Sequence, residues 1–207
     1  EYEKIGILNL GKFSLIFTFL AIGLLINSFN YIDGVDGLLN GITIISISYF
    51  IFLIKDSTSF LILFYFLIYG LIINLFFNLL TPKSGLKCFM GDAGSLFLGF
   101  LISFFMIFLF INMNIHPAYL IWAVWYPVFD FLFVSIYRLI KNKNITSPDK
   151  NHLHHSILNY FKGNHIKTNI LINISNLIVL MIGYVFVNEF GKIYSLLLFV
   201  FLFLVFL

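Results

Sequence analysis

Long, uninterrupted apolar runs constrain the fold of this chain more than any other feature. About seven are present, and each is close to the length of about 20 residues that a helix needs to cross the hydrocarbon core of a bilayer. They cover residues 13–31, 38–54, 60–80, 95–112, 118–140, 169–187 and 193–207. A transmembrane barrel would instead show alternating strands of about ten residues. The runs therefore predict an all-α fold, a polytopic bundle of transmembrane helices.

The composition agrees with a membrane environment. Hydrophobic residues make up 61% of the chain and charged residues only 10%, against roughly 45–50% and about 25% in soluble domains. No repeat or linker divides the chain, so we interpret residues 1–207 as a single transmembrane domain. The single cysteine, Cys88, excludes a disulfide within the chain.

The distribution of lysines predicts the orientation. Of the alternate loops 32–37, 81–94 and 141–168, the last two hold seven of the eleven lysines, whereas the segments on the other side hold only Lys4, Lys12, Lys55 and Lys192. Short basic loops stay on the cytoplasmic side of a bilayer. We therefore expect these three loops, and every unusual polar cluster of the chain, at the cytoplasmic face.

The first polar cluster is the run NSFNYIDGVDGLLNG at the end of the first apolar stretch. It places Asn27, Asn30, Asp33 and Asp36 three residues apart. Carboxylates at such a depth lose hydration and are by default candidates for a functional site. If glycines break the helix here, both carboxylates and both amides can converge on one pocket. The alternative is a solvated turn in which the asparagines cap helix ends.

The second cluster is CFMGDAGSLFLGF, which opens the fourth apolar stretch. Its small residues let a phosphate approach the backbone, and the helix N-terminus favours an anion. Asp92 can hold a cation that bridges to that anion, and Asp92 or Ser95 can cap the helix. The sequence lacks the GK[ST] ending of a P-loop, so a plain N-cap turn is an equal alternative.

The third cluster is SPDKNHLHHSIL, in the basic loop after the fifth apolar stretch. It holds Lys150, His152, His154 and His155, which together can neutralise phosphate oxygens. A zinc site is disfavoured because the spacing does not fit HExxH and no Cys or Glu accompanies it. A solvated loop remains the simpler alternative.

A fourth feature, PVFD, places Asp130 inside the fifth apolar stretch. Arg138, the only arginine, lies two turns later on the same predicted helix. The two side chains are about 80° apart at helical periodicity, so a direct pair requires bending and another helix can supply the partner. A structural hydrogen bond between helices and a catalytic role both stay open.

Carboxylates, glycines and a Lys/His loop at one membrane face suit a substrate that is both anionic and lipid-anchored. Carboxylates and phosphates repel each other unless Mg²⁺ lies between them. Phosphoryl transfer then needs mainly positioning and neutralisation of charge.

The three motifs NxxNxxDGxDGL, MGDAGSLFLG and SPDKNHLHH, in this order, resemble those of the polyprenyl-phosphate N-acetylhexosamine-1-phosphate transferases. That family includes the phospho-MurNAc-pentapeptide translocase, and the SPDxxHLHH form is similar to its WecA/TagO-like branch. The resemblance implies transfer of a sugar 1-phosphate from a UDP-N-acetylhexosamine to undecaprenyl phosphate in a bacterial inner membrane, with Mg²⁺ or Mn²⁺ as cofactor.

The resemblance also implies roles for residues. Asp33, Asp36 and Asp92 are the expected catalytic residues, with Asp92 and Asn30 at the metal. The expected substrate-binding residues are Asn27, Asn30, Lys150, His152, His154 and His155. The expected partners are the UDP-sugar, undecaprenyl phosphate and membrane lipids, with a homodimer as the candidate assembly and no nucleic acid.

The chain departs from the family in two respects. The family carries an Asp-Asp-x-x-Asp motif on an earlier loop, which this sequence lacks, and about ten or eleven spans. We therefore expect an N-terminal part, which would make these residues about the C-terminal two thirds of a longer protein.

Two rival classes of protein stay open. One is a membrane transporter, which would show broken helices near the midplane and related halves. The other is a membrane sensor that binds metal through its histidines.

Overall fold

The computed structural model describes residues 11–54, 58–80, 85–142 and 152–207. Within these ranges the chain forms helices and no strand, which confirms the all-α fold. The α-helices are α1 (Ser14–Tyr31), α2 (Leu38–Leu53), α3 (Thr58–Leu79), α4 (Gly91–Met113), α5 (Pro117–Leu120), α6 (Trp125–Ile140), α7 (Leu153–Tyr160), α8 (His165–Phe190) and α9 (Lys192–Phe206). Short 3-10 helices occupy Gly11–Phe13 and Ile121–Val124.

Five segments of the described chain are long and apolar enough to cross a membrane. They are Gly11–Tyr31, Phe60–Asn78, Gly91–Met113, Pro117–Ile140 and His165–Phe190. The apolar helices α2 and α9 have 16 and 15 residues, which gives them lengths of roughly 22–24 Å at 1.5 Å per residue. This is shorter than the roughly 30 Å hydrocarbon core, so the number of seven spans stays a prediction.

Two spanning helices begin four residues before the apolar runs that predict them. Helix α4 starts at Gly91 rather than residue 95, and α8 starts at His165 rather than residue 169. The first turns of these helices contain polar residues such as Asp92 and Lys167. A search for apolar runs therefore misses them, although they are helical. Helix α7 lies inside the segment 141–168, where hydrophilic composition gave no indication of a helix.

The predicted fifth span is broken by a 3-10 segment between α5 and α6. Pro127 has no N–H to donate to the carbonyl of Ala123, four residues earlier. The hydroxyl of Ser46 on α2 donates to that carbonyl instead, at 2.7 Å. Trp122, in the 3-10 segment, packs so closely on Gly183 of α8 that a Cβ there would lie 2.0 Å from its ring.

Helices α1 and α4 make the closest backbone contact that bears on the site. A Cβ on Gly99 of α4 would lie 2.7 Å from the Cα of Ile26 and 2.9 Å from the carbonyl oxygen of Leu25. Only glycine permits this approach. One turn later on α1 and one turn earlier on α4, the same packing brings Asn30 beside Ser95. The end of α1, the turn before α2 and the start of α4 therefore meet at one end of the bundle.

Candidate active site

The turn between α1 and α2 carries the first two carboxylates. Ile32 and Val35 are buried in the core and anchor the turn, whereas Asp33 and Asp36 remain partly exposed. Gly37 closes the turn in the left-handed region, with φ +74°, where residues other than glycine are strained. The helix breaks at this sequence, as its glycines predict.

The start of α4 meets the end of α1 through hydrogen bonds. The Asn30 amide donates from Nδ2 to Ser95 Oγ at 2.8 Å and to Asp92 Oδ1 at 3.2 Å. Neither Asp92 nor Ser95 caps α4, contrary to the expectation, because the N-cap residue is Met90 and has no capping side chain. The two side chains lie in the first turn of the helix and face Asn30.

Asp33 lies in the field of two other carboxylates. Burial raises its pKa from 3.8 to about 6, a hydrogen bond from the Gly91 backbone opposes the rise, and the charges of Asp92 and Asp36 add to it. Asp33, Asp36 and Asp92 therefore repel one another when they are ionised. A cation bound among these oxygens would relieve the repulsion.

Asp36 is held by basic and polar partners that the sequence did not single out. Its Oδ2 forms a salt bridge with Lys87 Nζ at 2.6 Å and lies 3.4 Å from His165 Nδ1. The backbone N–H of Asp36 donates to the same imidazole nitrogen at 3.1 Å, and Asn169 donates to its carbonyl at 3.0 Å. These partners lie far away in sequence, and no local motif marks them.

The histidine segment reaches the same turn. A Cβ on Gly34 would lie 3.0 Å from His154 Nε2 and 3.1 Å from the His155 ring. His152 instead points to Asp130 of α6, with 2.8 Å between Nδ1 and Oδ2. Thus residues from all three predicted clusters meet at one end of the bundle. Lys150 lies outside the described residues.

The structure identifies the partners of three further polar side chains; for Asp130, the sequence left both a pair with Arg138 and a partner from another helix open. Asp130 does not pair with Arg138 along α6; its partners are His152 and the backbone of Leu153, while Arg138 donates to the hydroxyl of Tyr31 at 3.4 Å. Asn27 is not brought to the site. It is exposed on α1, and its Nδ2 donates to the carbonyl of Gly23 one turn earlier.

Two donor sets in the described chain differ in the metal they suit. Asp33 and Asp92 offer carboxylate oxygens, the hard ligands that Mg²⁺ and Mn²⁺ prefer, and Asn30 lies beside them with Nδ2 turned towards Asp92. Asp130, His152 and His154 offer one oxygen and two imidazoles whose ligand atoms lie within 4.8 Å of one another, the type that suits zinc. In the second set both carboxylate oxygens already accept hydrogen bonds from nitrogen.

Comparisons with known proteins show which family the sequence matches. The sequence model described as "Glycosyl transferase family 4" matches residues 2–110, which contain the first two clusters. The undecaprenyl-phosphate alpha-N-acetylglucosaminyl 1-phosphate transferase of Yersinia pestis is 34% identical over 72% of this chain, and that of Escherichia coli K12 is 32% identical over 72%. A Bacillus subtilis protein named probable undecaprenyl-phosphate N-acetylglucosaminyl 1-phosphate transferase is 31% identical over 77%.

The match covers 42% of the length of each of these three relatives. No solved structure matches the chain significantly.

Proposed function

The chain belongs to glycosyl transferase family 4, and we propose on that basis that the complete protein transfers N-acetylglucosamine 1-phosphate from UDP-GlcNAc to undecaprenyl phosphate. An oxygen of the lipid phosphate forms a bond to the sugar-bearing phosphorus. The P–O bond of the diphosphate breaks, and UMP leaves with the electron pair. The product is a lipid-linked diphospho-sugar for the synthesis of envelope polysaccharide. The names of the relatives and the convergence of Asp33, Asp92 and the histidines support this proposal.

Asp92 and Asn30 are the proposed metal ligands, with Asp33 beside them. The oxygen donors fit Mg²⁺ or Mn²⁺, which would supply charge neutralisation between the carboxylates and the diphosphate. Asp36 is already neutralised by Lys87 at 2.6 Å, so its proposed role is to hold the turn in place and orient the nucleotide. The half-buried position of Asp33 suits contact with the donor.

The histidine segment brings imidazole groups to the turn that carries Asp33. His154 and His155 lie against Gly34, directly beside Asp33, so a phosphate bound there would face carboxylate and imidazole groups at once. Imidazolium groups donate hydrogen bonds to phosphate oxygens and stabilise charge in the transition state. Lys150 stays a predicted substrate-binding residue and lies outside the described part of the chain. Asn27, whose amide donates to the Gly23 carbonyl, has no part in the proposed site.

The proposed location is the bacterial inner membrane, with the site at its cytoplasmic face, where the lysine-rich loops belong. UDP-sugars would reach the site from the cytoplasm, while undecaprenyl phosphate would approach through the bilayer.

The transporter alternative is not favoured, because the polar cluster of the described residues lies at one end of the bundle rather than around a central cavity. No named relative is a metal sensor.

The test uses the complete protein in detergent or vesicles, with UDP-GlcNAc, undecaprenyl phosphate and Mg²⁺. Release of UMP and formation of the lipid product are measured together. Asp92→Asn should abolish both while the protein still inserts, because the amide cannot replace the charge of the carboxylate. Glu189→Gln, at the exposed far end of α8, is the matched control and should retain full activity. Unchanged turnover in Asp92→Asn, or no turnover in the wild type with any UDP-N-acetylhexosamine, would refute the proposal.

A further inference from the structure

Asp130 is a fully buried carboxylate to which the proposed reaction assigns no part. It lies ten residues before the end of α6 and is 0% exposed. A buried carboxylate is costly unless hydrogen bonds satisfy both of its oxygens. Here Oδ1 accepts from the backbone N–H of Leu153, and Oδ2 lies 2.8 Å from His152 Nδ1, both contacts coming from the histidine segment.

The contact with Leu153 fixes the beginning of α7. Leu153 is the first residue of this helix, and its N–H has no partner within the helix. The N-cap residue, His152, makes no side-chain cap. Asp130 supplies that acceptor from another helix, at 2.8 Å, and its charge lies at the positive end of the α7 dipole.

The contact with His152 fixes the tautomer of that imidazole. An ionised carboxylate only accepts hydrogen bonds, so Nδ1 must carry a hydrogen; in the neutral imidazole Nε2 is then the acceptor. The ring is held from its other side by Tyr31, whose centroid lies 5.2 Å away. Tyr31 directly follows Asn30, so α1 and α6 both fix this ring.

Asp130 also lies close to His154, the histidine that contacts the turn between α1 and α2. Its Nδ1 lies 3.4 Å from Asp130 Oδ2, and the side chain is 0% exposed. Neither ring nitrogen has a hydrogen-bond partner within the described chain. Because Nε2 faces Gly34, the imidazole is aimed at the turn that carries Asp33 rather than at a partner of its own.

We infer that Asp130 is a positioning residue for the transferase: it fixes the tautomer of His152 and the start of α7, and thereby directs His154 at the turn between Asp33 and Asp36. This inference rests on the proposed function. At metal sites, removing a carboxylate that orients a histidine lowers activity by about 10- to 100-fold. We expect a loss of the same size when Asp130 is replaced.

A metal held by Asp130, His152 and His154 is the competing interpretation of the same cluster. A zinc–nitrogen bond of about 2.0–2.1 Å would require His152 Nδ1 to give up its hydrogen. The 2.8 Å separation of Nδ1 from Oδ2 is instead that of a charge-assisted hydrogen bond. The hydrogen-bonded arrangement therefore accounts for both carboxylate oxygens without a metal.

The first arm of the test is a double-mutant cycle on UMP release by the complete protein. Asp130→Asn should lower kcat/KM by about 10- to 100-fold, and Asp130→Glu should restore part of the loss. In a protein that already carries His152→Gln, Asp130→Asn should lower it by less than about twofold, because the two residues act as one unit. Ser46→Ala, which also removes a buried hydrogen bond to the backbone, is the control and should stay near wild type. Additive losses would overturn the inference.

The second arm is independent of activity. The complete protein, labelled with ¹⁵N-histidine, is examined by solid-state NMR in vesicles, and the His152→Gln variant identifies the His152 signals. The wild type should show His152 protonated on Nδ1. In Asp130→Asn the amide N–H₂ faces that nitrogen, so the hydrogen should move to Nε2. An unchanged tautomer, or stoichiometric zinc that is lost in Asp130→Asn, would overturn the inference. If the wild type releases no UMP, the proposed function fails and the NMR arm alone decides the role of Asp130.

Discussion

Substitution of Gly99 by alanine tests whether the packing of α1 on α4 sets the geometry of the site. The added Cβ would lie 2.7 Å from the Cα of Ile26, whereas carbon atoms in contact are about 3.5–4.0 Å apart. Both obstructing groups are backbone, so the helices must separate by about 1 Å. The two hydrogen bonds of Asn30, at 2.8 and 3.2 Å, would then lengthen to roughly 3.8 and 4.2 Å, beyond the range of a hydrogen bond.

The expected result is a large loss of activity. A displacement of about 1 Å at a reacting centre can cost about 100-fold in rate, which corresponds to about 2.7 kcal/mol of transition-state stabilisation. The assay is kcat/KM for UMP release by the complete protein, measured first at the Mg²⁺ concentration that just saturates the wild type. Adding Mg²⁺ in excess should recover part of the loss, because the displaced Asn30 and Asp92 would bind the cation more weakly.

The matched control is Gly23→Ala. Gly23 is also a helical glycine, on α1, but a Cβ there would meet nothing within 4 Å. Alanine should be tolerated and should stabilise the helix by up to about 1 kcal/mol. If Gly99→Ala keeps kcat/KM within about twofold of wild type, the close approach of α1 and α4 does not position the site, and the reasoning is refuted.

Three further predictions concern single side chains. In metal-free samples Asp33→Asn should raise the free energy of unfolding above pH 6 by about 1 kcal/mol after allowance for solvent screening, seen as a higher melting temperature in thermal scans. The raised pKa of about 6 favours the folded state at low pH, and this contribution is lost as pH rises through 6. No gain should therefore appear at pH 4. Gly34→Ala should lower the rate of UMP release roughly fourfold, since its Cβ would push the rings of His154 and His155 away by a few tenths of an ångström; a normal rate would show that the histidine contact is dispensable. Lys87→Met should raise the KM for UDP-GlcNAc by freeing Asp36, and Lys87→Arg should retain most of the affinity.

Much of the architecture is predictable from composition and spacing alone. The apolar runs give the helices because a bilayer admits few alternatives for such segments. The glycines of DGVDG give the break between α1 and α2, which the left-handed Gly37 confirms. The ends of helices are less predictable, since a polar first turn such as that containing Asp92 looks like a loop in a hydropathy pattern.

The pairing of polar side chains is not predictable in the same way. Asp36 meets Lys87 and His165, which are 51 and 129 residues away in sequence, and no periodicity relates them. Asp130 is a clear intramembrane carboxylate in the sequence, yet its partner comes from α7, a helix of eight residues that composition does not reveal.

The most direct measurement of the central claim is to map the metal in the complete protein by replacing Mg²⁺ with Fe²⁺ and cleaving the backbone oxidatively around the bound ion. The account predicts cuts next to Asn30 and Asp33 and next to Asp92, found by mass spectrometry, increased by UDP-GlcNAc and suppressed by excess Mg²⁺. Cuts confined to the surroundings of Asp130 and His152, or unaffected by Mg²⁺, would contradict it.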